Sequence, residues 1–409
     1  MSNQAPPFPP QAYPPPAPDQ HPTPPPAGSQ PQASGRRGPG WPGVIATAVA
    51  CSVLSGAGTY AAVTALDPAG PTKPITRQAP AELPPAATTG DVAWAEVATA
   101  VAPGTASIQV QGRQAASSGS GVVYDDQGHI LTNHHVAASL GRNATITVTM
   151  PDGLTYPATL VGSDVDTDIA ILKLENPPAG LAPATFGDSD RLVVGQPVMA
   201  IGAPLGLQNT VTTGIVSALH RPVMAQQGSS GNNPFGPAAE AQYSATSAVQ
   251  TDASINPGNS GGALVDASGR VIGINSSIAS NATSAGTAGS IGLGFAIPAN
   301  TAKTIADQLI AHGQAEHPLV GVSVGDARVN LGSALVSGAG IASVSEDSPA
   351  ARAGLREGDV IASIDGVNVD SSTAVIAYVR SQEIGSTHTF TIIRDGEEKE
   401  IEVVLDASA

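Results

Sequence analysis

Ser260 stands in the stretch INPGNSGGAL, residues 255–264, with glycine at 258, 261 and 262 and Pro257 just ahead. Glycine accepts backbone angles that other residues avoid and adds no bulk, so this loop can turn tightly and aim a hydroxyl and nearby N–H groups at one point. The same composition also serves a plain surface turn. A serine hydroxyl is barely nucleophilic at its free pKa, so chemistry here requires a base, usually an imidazole held by an acid. His134 and His135, in GHILTNHHVAAS, follow an apolar strand pattern. Adjacent residues of an extended chain face opposite sides, so one of the two at most can serve such a site, and a histidine at a strand end can equally be structural. Acids stand in GSDVDTDIAILKL. Asp168 directly precedes an apolar run and is therefore fixed at a core edge, whereas Asp164 and Asp166 read as solvated turn residues. A calcium loop would use Asp164, Asp166 and Asp168 with Glu175 in twelfth place, but Ile169 stands where that loop needs glycine. The GSIGLG run at 289–294 lacks the lysine and helix of a phosphate loop. No metal and no cofactor is expected.

These residues need a scaffold. From Asp91 to about Gln314 short apolar runs such as GSGVVY, HILTNH, ATITVTM, IAILKL, PVMAIG and RVIGINSSI alternate with Gly, Asn, Asp and Ser. That rhythm predicts a mainly β barrel or sandwich. PANTAKTIADQLIAHG predicts one helix, with Ile305, Leu309 and Ile310 at helical spacing, Asn300 or Thr301 as cap and Gly313 at the end. Residues 226–242 and 281–289 read as mobile loops. The section 318–408 mixes strands, the helix SSTAVIAYVRSQ with Val375, Ile376 and Val379 on one side, and a hairpin about Asp395-Gly396. It predicts a compact α+β module.

The N-terminal ninety residues differ in kind. Residues 1–43 are rich in proline and short of branched aliphatics, which predicts a disordered tail. Residues 44–66 carry no charge and are long enough for a membrane-spanning helix, with Arg36 and Arg37 ahead and Asp67 behind. The positive flank stays cytoplasmic, placing the C-terminal bulk outside. A cleavable signal is the competing reading. Residues 67–90 form a proline-rich linker. The chain has one cysteine, Cys51, so no internal disulfide can form. A net charge of −16 and 3% aromatic residues argue against nucleic-acid binding.

A histidine, Asp168 and Ser260 follow one another in the order His, Asp, Ser, which is that of chymotrypsin-type double barrels. The N–H groups of the Gly258–Asn259–Ser260 segment, those of Gly258 and Ser260 in particular, would then form the oxyanion hole. TNHHV, TDIAILKL and QTDASINPGNSGGAL resemble the three catalytic blocks of the HtrA/Deg serine proteases, and GSGVVYDDQGHILTNHHV and GLGFAIP extend the likeness. The proline-rich tail and anchor resemble the membrane-bound actinobacterial branch. The resemblance implies a trypsin-like protease domain over 91–314 and a PDZ domain over 318–408, with His135, Asp168 and Ser260 as catalytic residues. It also implies endopeptidase action on unfolded or damaged proteins outside the cytoplasm, and trimeric assembly, for which Trp94 is a candidate contact. Leu319, Val320, Gly321 and Val322 match the loop that captures a peptide C-terminus in such PDZ domains. A non-proteolytic chaperone or peptide-sensing scaffold is the alternative.

Two positions depart from the family pattern: Ala263 stands in place of a common proline, and His134 in place of an asparagine. Asn259, lacking a carboxylate, cannot pair with a freed N-terminus, so activation by propeptide removal is not implied. The family resemblance implies reversible ordering by a bound ligand instead. Near Ser254 and Ile255, at the expected base of the primary pocket, no acid is present, which favours small aliphatic substrate residues. Asp252 reads as structural.

Overall fold

The computed structural model describes residues 92–407 apart from 114, 139, 142, 204–209, 228–241, 278–289, 291 and 332–333. The expected tail, membrane segment and linker, and nearly all of the two expected loops, lie outside the described residues. No helix among the described residues is long and apolar enough to cross a membrane.

Helix α1 (Trp94–Val101) leads into β1 (Thr105–Gln111), β2 (Ala116–Val123) and β3 (His129–Thr132), then the short helix α2 (His134–Ala137). The first barrel is completed by β4 (Thr145–Thr149), β5 (Thr155–Asp164) and β6 (Ile169–Leu174), and closes in the order β1-β2-β3-β6-β5-β4. A second barrel comprises β7 (Pro197–Gly202), β8 (Thr210–Gln227), β9 (Gln242–Thr251), β10 (Ala263–Asp266), β11 (Val271–Ser276) and β12 (Gly294–Pro298). It closes in the order β10-β11-β12-β9-β8-β7.

The apolar runs lack polar alternation because both faces of these strands are buried. On β6, Leu172 and Ala170 fill the first barrel while Ile169 and Ile171 face the seam between barrels. On β10, Leu264 points into the second barrel, and Ala263 and Val265 into the seam. Helix α3 (Ala299–His312) closes that seam with Ala302, Ile305, Ala306 and Leu309. It ends at Gly313 (φ 76°), whose N–H donates to Leu309 O, as the sequence predicts. Its start differs: Pro298 is the cap, and Asn300 lies inside the helix with its amide bound to Asp188 at 2.9 Å. Trp94, proposed as a subunit contact, packs on the seam of its own chain.

The C-terminal module contains β13 (Pro318–Leu319), β14 (Val322–Leu331), β15 (Ala334–Val344), α4 (Pro349–Ala353), β16 (Val360–Ile364), β17 (Val367–Asn368), α5 (Ser372–Arg380), β18 (Thr387–Arg394), β19 (Glu397–Val404) and β20 (Asp406–Ala407). Its sheet runs β14-β15-β16-β18-β19, leaving β14 on an edge, and β13 pairs separately with β20. The β18–β19 hairpin turns at Asp395 (φ 57°) and Gly396 (φ 81°), the left-handed pair that a two-residue turn requires. Helix α5 buries Ala374, Val375, Tyr378 and Val379, whereas Ile376 is 41% exposed. Helical steps of three and four from 375 reach 378 and 379, which turns 376 outward.

Candidate active site

Asp168 sits at the end of the β5–β6 turn with φ 61°, a left-handed backbone for a residue with a side chain. Two donors fix it there: His134 N–H and Asn133 Nδ2 both reach Asp168 O at 3.0 Å. The carboxylate faces His135. Its oxygens lie 3.0 and 2.8 Å from His135 Nδ1, and Oδ1 also accepts the His135 N–H at 3.0 Å. Ser276 Oγ donates to the other oxygen at 3.3 Å. A carboxylate can only accept, so Nδ1 is the donor in this contact and Nε2 is left with the ring's acceptor lone pair. The two histidines share a helical turn instead of an extended strand. Burial holds the His134 pKa below its ordinary value, with Asp168 opposing and His135 reinforcing that shift.

The Ser260 loop is clamped from both barrels. Ser120 on β2 donates its hydroxyl to Gly258 O at 2.7 Å and its N–H to Ser260 O at 2.7 Å, and accepts Ala203 N–H at 2.8 Å. On the other side Gly261 N–H donates to Asn275 O at 2.9 Å. Gly258 (φ 100°) and Gly261 (φ 82°) occupy the left-handed region. A Cβ at 261 would stand 2.1 Å from Ser120 O, so glycine is needed there for space as well as for angle. Asn259 N–H is taken up by Asn256 O at 3.0 Å, which removes it from the expected donor set. Among the described residues, neither Gly258 N–H nor Ser260 N–H has an acceptor. Ser260 Oγ lies 2.5 Å from Ser277 Oγ and accepts Ser277 N–H at 3.0 Å. The structure thus joins His135 to Asp168, and seats Ser260 on Ser277, the neighbour of the Ser276 that touches Asp168.

Other expectations separate. Asp164 is buried, not solvated: Thr167 donates to it through N–H and hydroxyl, and His317 Nε2 lies 2.9 Å away. Burial pushes its pKa up, but the His317 and Thr167 interactions outweigh that and leave it lowered. Asp166 pairs with Arg380 of α5 at 2.9 Å. Asp166 therefore ties the C-terminal module, and Asp164 the segment that leads into it, to the turn that carries Asp168. Ile255 is packed inside the second barrel, so of the two residues expected at the pocket base only Ser254 is partly exposed. Asp252 is structural as expected, accepting Ile215 N–H at 2.7 Å.

Leu319, Val320, Gly321 and Val322 lie where β13 passes into edge strand β14. Val320 O accepts Ala350 N–H and Gly321 O accepts Ser345 N–H, both at 2.9 Å. Gly321 has φ 81°, and a Cβ there would meet Ser348 Cβ at 2.3 Å.

Residues 119–274 match the trypsin-like peptidase domain and residues 318–405 the PDZ domain. Serine protease PepD of Mycobacterium tuberculosis is 40% identical over 357 residues, covering 85% of this chain and 73% of that protein. This chain belongs to the HtrA family of serine proteases. A solved structure titled HtrA-type protease AlgW with decapeptide aligns with TM-score 0.52 and 32% identity, over 77% of this chain and 99% of that one. Periplasmic serine endoprotease DegP of Escherichia coli is 39% identical over 297 residues, and the matched part spans 57% of DegP's length. The protein is an HtrA-type serine endopeptidase that carries a PDZ domain. Sequence reading of this HtrA protease missed Ser120, Asn133, Ser276 and Ser277. The signal for Ser120 was its place between Gly119 and Gly121; Asn133 directly precedes the histidine pair.

Proposed function

We propose that this HtrA protease cleaves unfolded or damaged proteins with Ser260 as nucleophile, His135 as general base and Asp168 as the group that orients the imidazole. His135 Nε2 takes the Ser260 proton as Oγ attacks the peptide carbonyl, then returns it to the leaving amine. Asp168 holds Nδ1 protonated and stabilises the transient imidazolium. The N–H groups of Gly258 and Ser260 receive the developing oxyanion; losing one such donor typically costs about 3 kcal/mol of transition-state stabilisation. The observation that carries this reading is the His135–Asp168 pair at 2.8 Å beside a clamped glycine loop whose two amides have no acceptor among the described residues.

The PDZ domain is read as a receptor for peptide C-termini. Because the Val320 and Gly321 carbonyls face Ala350 and Ser345, the N–H groups of the same trans peptide units, those of Gly321 and Val322, point the opposite way. A carboxylate can dock on them and the peptide can add a strand beside β14. Export, with anchoring by residues 44–66, and trimeric assembly complete the proposal; support comes from the uncharged segment after Arg36 and Arg37 and from the periplasmic location that DegP's name states. The test is casein hydrolysis by the full chain with Ser260→Ala beside it. Hydrolysis that disappears in the variant supports the reading; equal hydrolysis by both overturns it.

A further inference from the structure

Ser260 Oγ has one proton and two lone pairs, and Ser277 engages it twice. Ser277 N–H donates to one lone pair at 3.0 Å, and the two hydroxyl oxygens are 2.5 Å apart. Either direction of the second bond restrains the nucleophile. If Ser260 donates, its proton is directed to Ser277 and away from His135. If Ser277 donates, both lone pairs of Ser260 are occupied. Ser260 and Ser277 are both buried, so water does not readily replace these bonds. Ser277 follows β11 directly, where Ser276 is bound to Asp168.

We propose that Ser277 is a positioning residue that parks the Ser260 hydroxyl in a resting orientation, from which it must turn before His135 can accept its proton. This rests on the nucleophile assignment above. In the parked state the N–H of Ser277 keeps the oxygen near the Gly258 loop, while its hydroxyl makes release the step that precedes attack. Removing only the hydroxyl leaves the N–H contact and frees whichever of the Ser260 proton or lone pair it engaged. A neutral hydrogen bond is worth about 1 kcal/mol, equivalent to about fivefold in rate.

The test is the second-order rate of labelling by a small fluorophosphonate, measured on the full chain. Ser277→Ala and Ser277→Gly are expected to label about fivefold faster than the parent. Ser277→Thr, which restores a hydroxyl, should return the rate toward the parent value, a rescue that a packing role would not produce. Melting temperatures identify which variants are folded, and the alanine and glycine variants report independently. A folded Ala or Gly variant that labels at or below the parent rate overturns the proposal. Ser260→Ala, alone and combined with Ser277→Ala, separates the two ideas. Label persisting in Ser260→Ala contradicts the nucleophile assignment, whereas label that needs Ser260 but ignores Ser277 contradicts only the parking role.

Discussion

In the PDZ domain Asp365 Oδ2 lies 2.6 Å from His388 Nδ1, and His388 Nε2 lies 2.6 Å from Ser386 Oγ. By distance alone this relay is shorter than the 2.8 Å contact of Asp168 with His135. Its surroundings are different. Ser386 Oγ donates to Glu383 O at 2.5 Å, Ser386 N–H goes to the same carbonyl at 3.2 Å, and Gly385 N–H goes to Leu405 O at 2.8 Å. Asp365 also accepts Tyr378 OH and Thr389 N–H. Burial raises its pKa, and these bonds with His388 more than reverse the effect. The knot joins α5 to β18, and the N–H groups of Gly385 and Ser386 are both taken up by carbonyls. At Ser260 the glycine loop holds two amides that have no acceptor among the described residues. Three residue types in line make a relay; the proposed protease chemistry also needs unfilled donors beside the hydroxyl.

The largest expected contrast is between the two serines. Ser260→Ala should lower kcat/KM for casein by at least about 10⁴-fold, whereas Ser386→Ala should stay within about twofold. Comparable losses from both would erase the distinction. Asp168→Asn should cost about 10³–10⁴-fold in kcat with KM little changed, because it disturbs the tautomer that places a free Nε2. Asp365→Asn is expected to lower PDZ stability, read as a lower melting temperature, and to spare peptide-bond hydrolysis. Ser120→Ala removes the hydroxyl that holds Gly258 O, and kcat should fall by about tenfold or more, since the oxyanion donors depend on that loop.

The smallest effect concerns pH. Burial lowers the His317 pKa, but bonding to Asp164 and the charges of Asp164 and Asp166 outweigh this and the opposing Arg380, so the value lies above its ordinary 6.5. Its stabilisation is full below 6.5 and is lost as pH rises through the raised folded value. Asp164, with a lowered pKa, contributes above 3.8 and loses that contribution as pH falls through its folded value. Melting temperatures of the parent and His317→Asn should therefore differ most near pH 5, by about 2–4 °C, and converge as pH rises through the raised folded value. A difference that grows with pH would refute the pairing.

Much of this was legible in the sequence, for a physical reason. Strands with both faces buried leave continuous apolar runs such as IAILKL, and glycines at 258, 261 and 262 mark a backbone that other residues cannot follow. The pairing of His135 with Asp168 followed from family resemblance and the strand edge. What escaped was long-range. Ser120 reaches Gly258 across 138 positions, and Asp164 meets His317 across 153, so neither partner marks the other's local sequence. Asp164 was misread as solvated because local polarity does not reveal a distant segment, that of His317, folding back onto it. Ile376 was misplaced because adjacent helical residues diverge by 100°.

The most direct measurement is the mass-spectrometric map of a fluorophosphonate adduct on the full chain. The adduct is expected on the peptide containing Ser260. An adduct on Ser386, or on any other serine with Ser260 unmodified, would contradict the account.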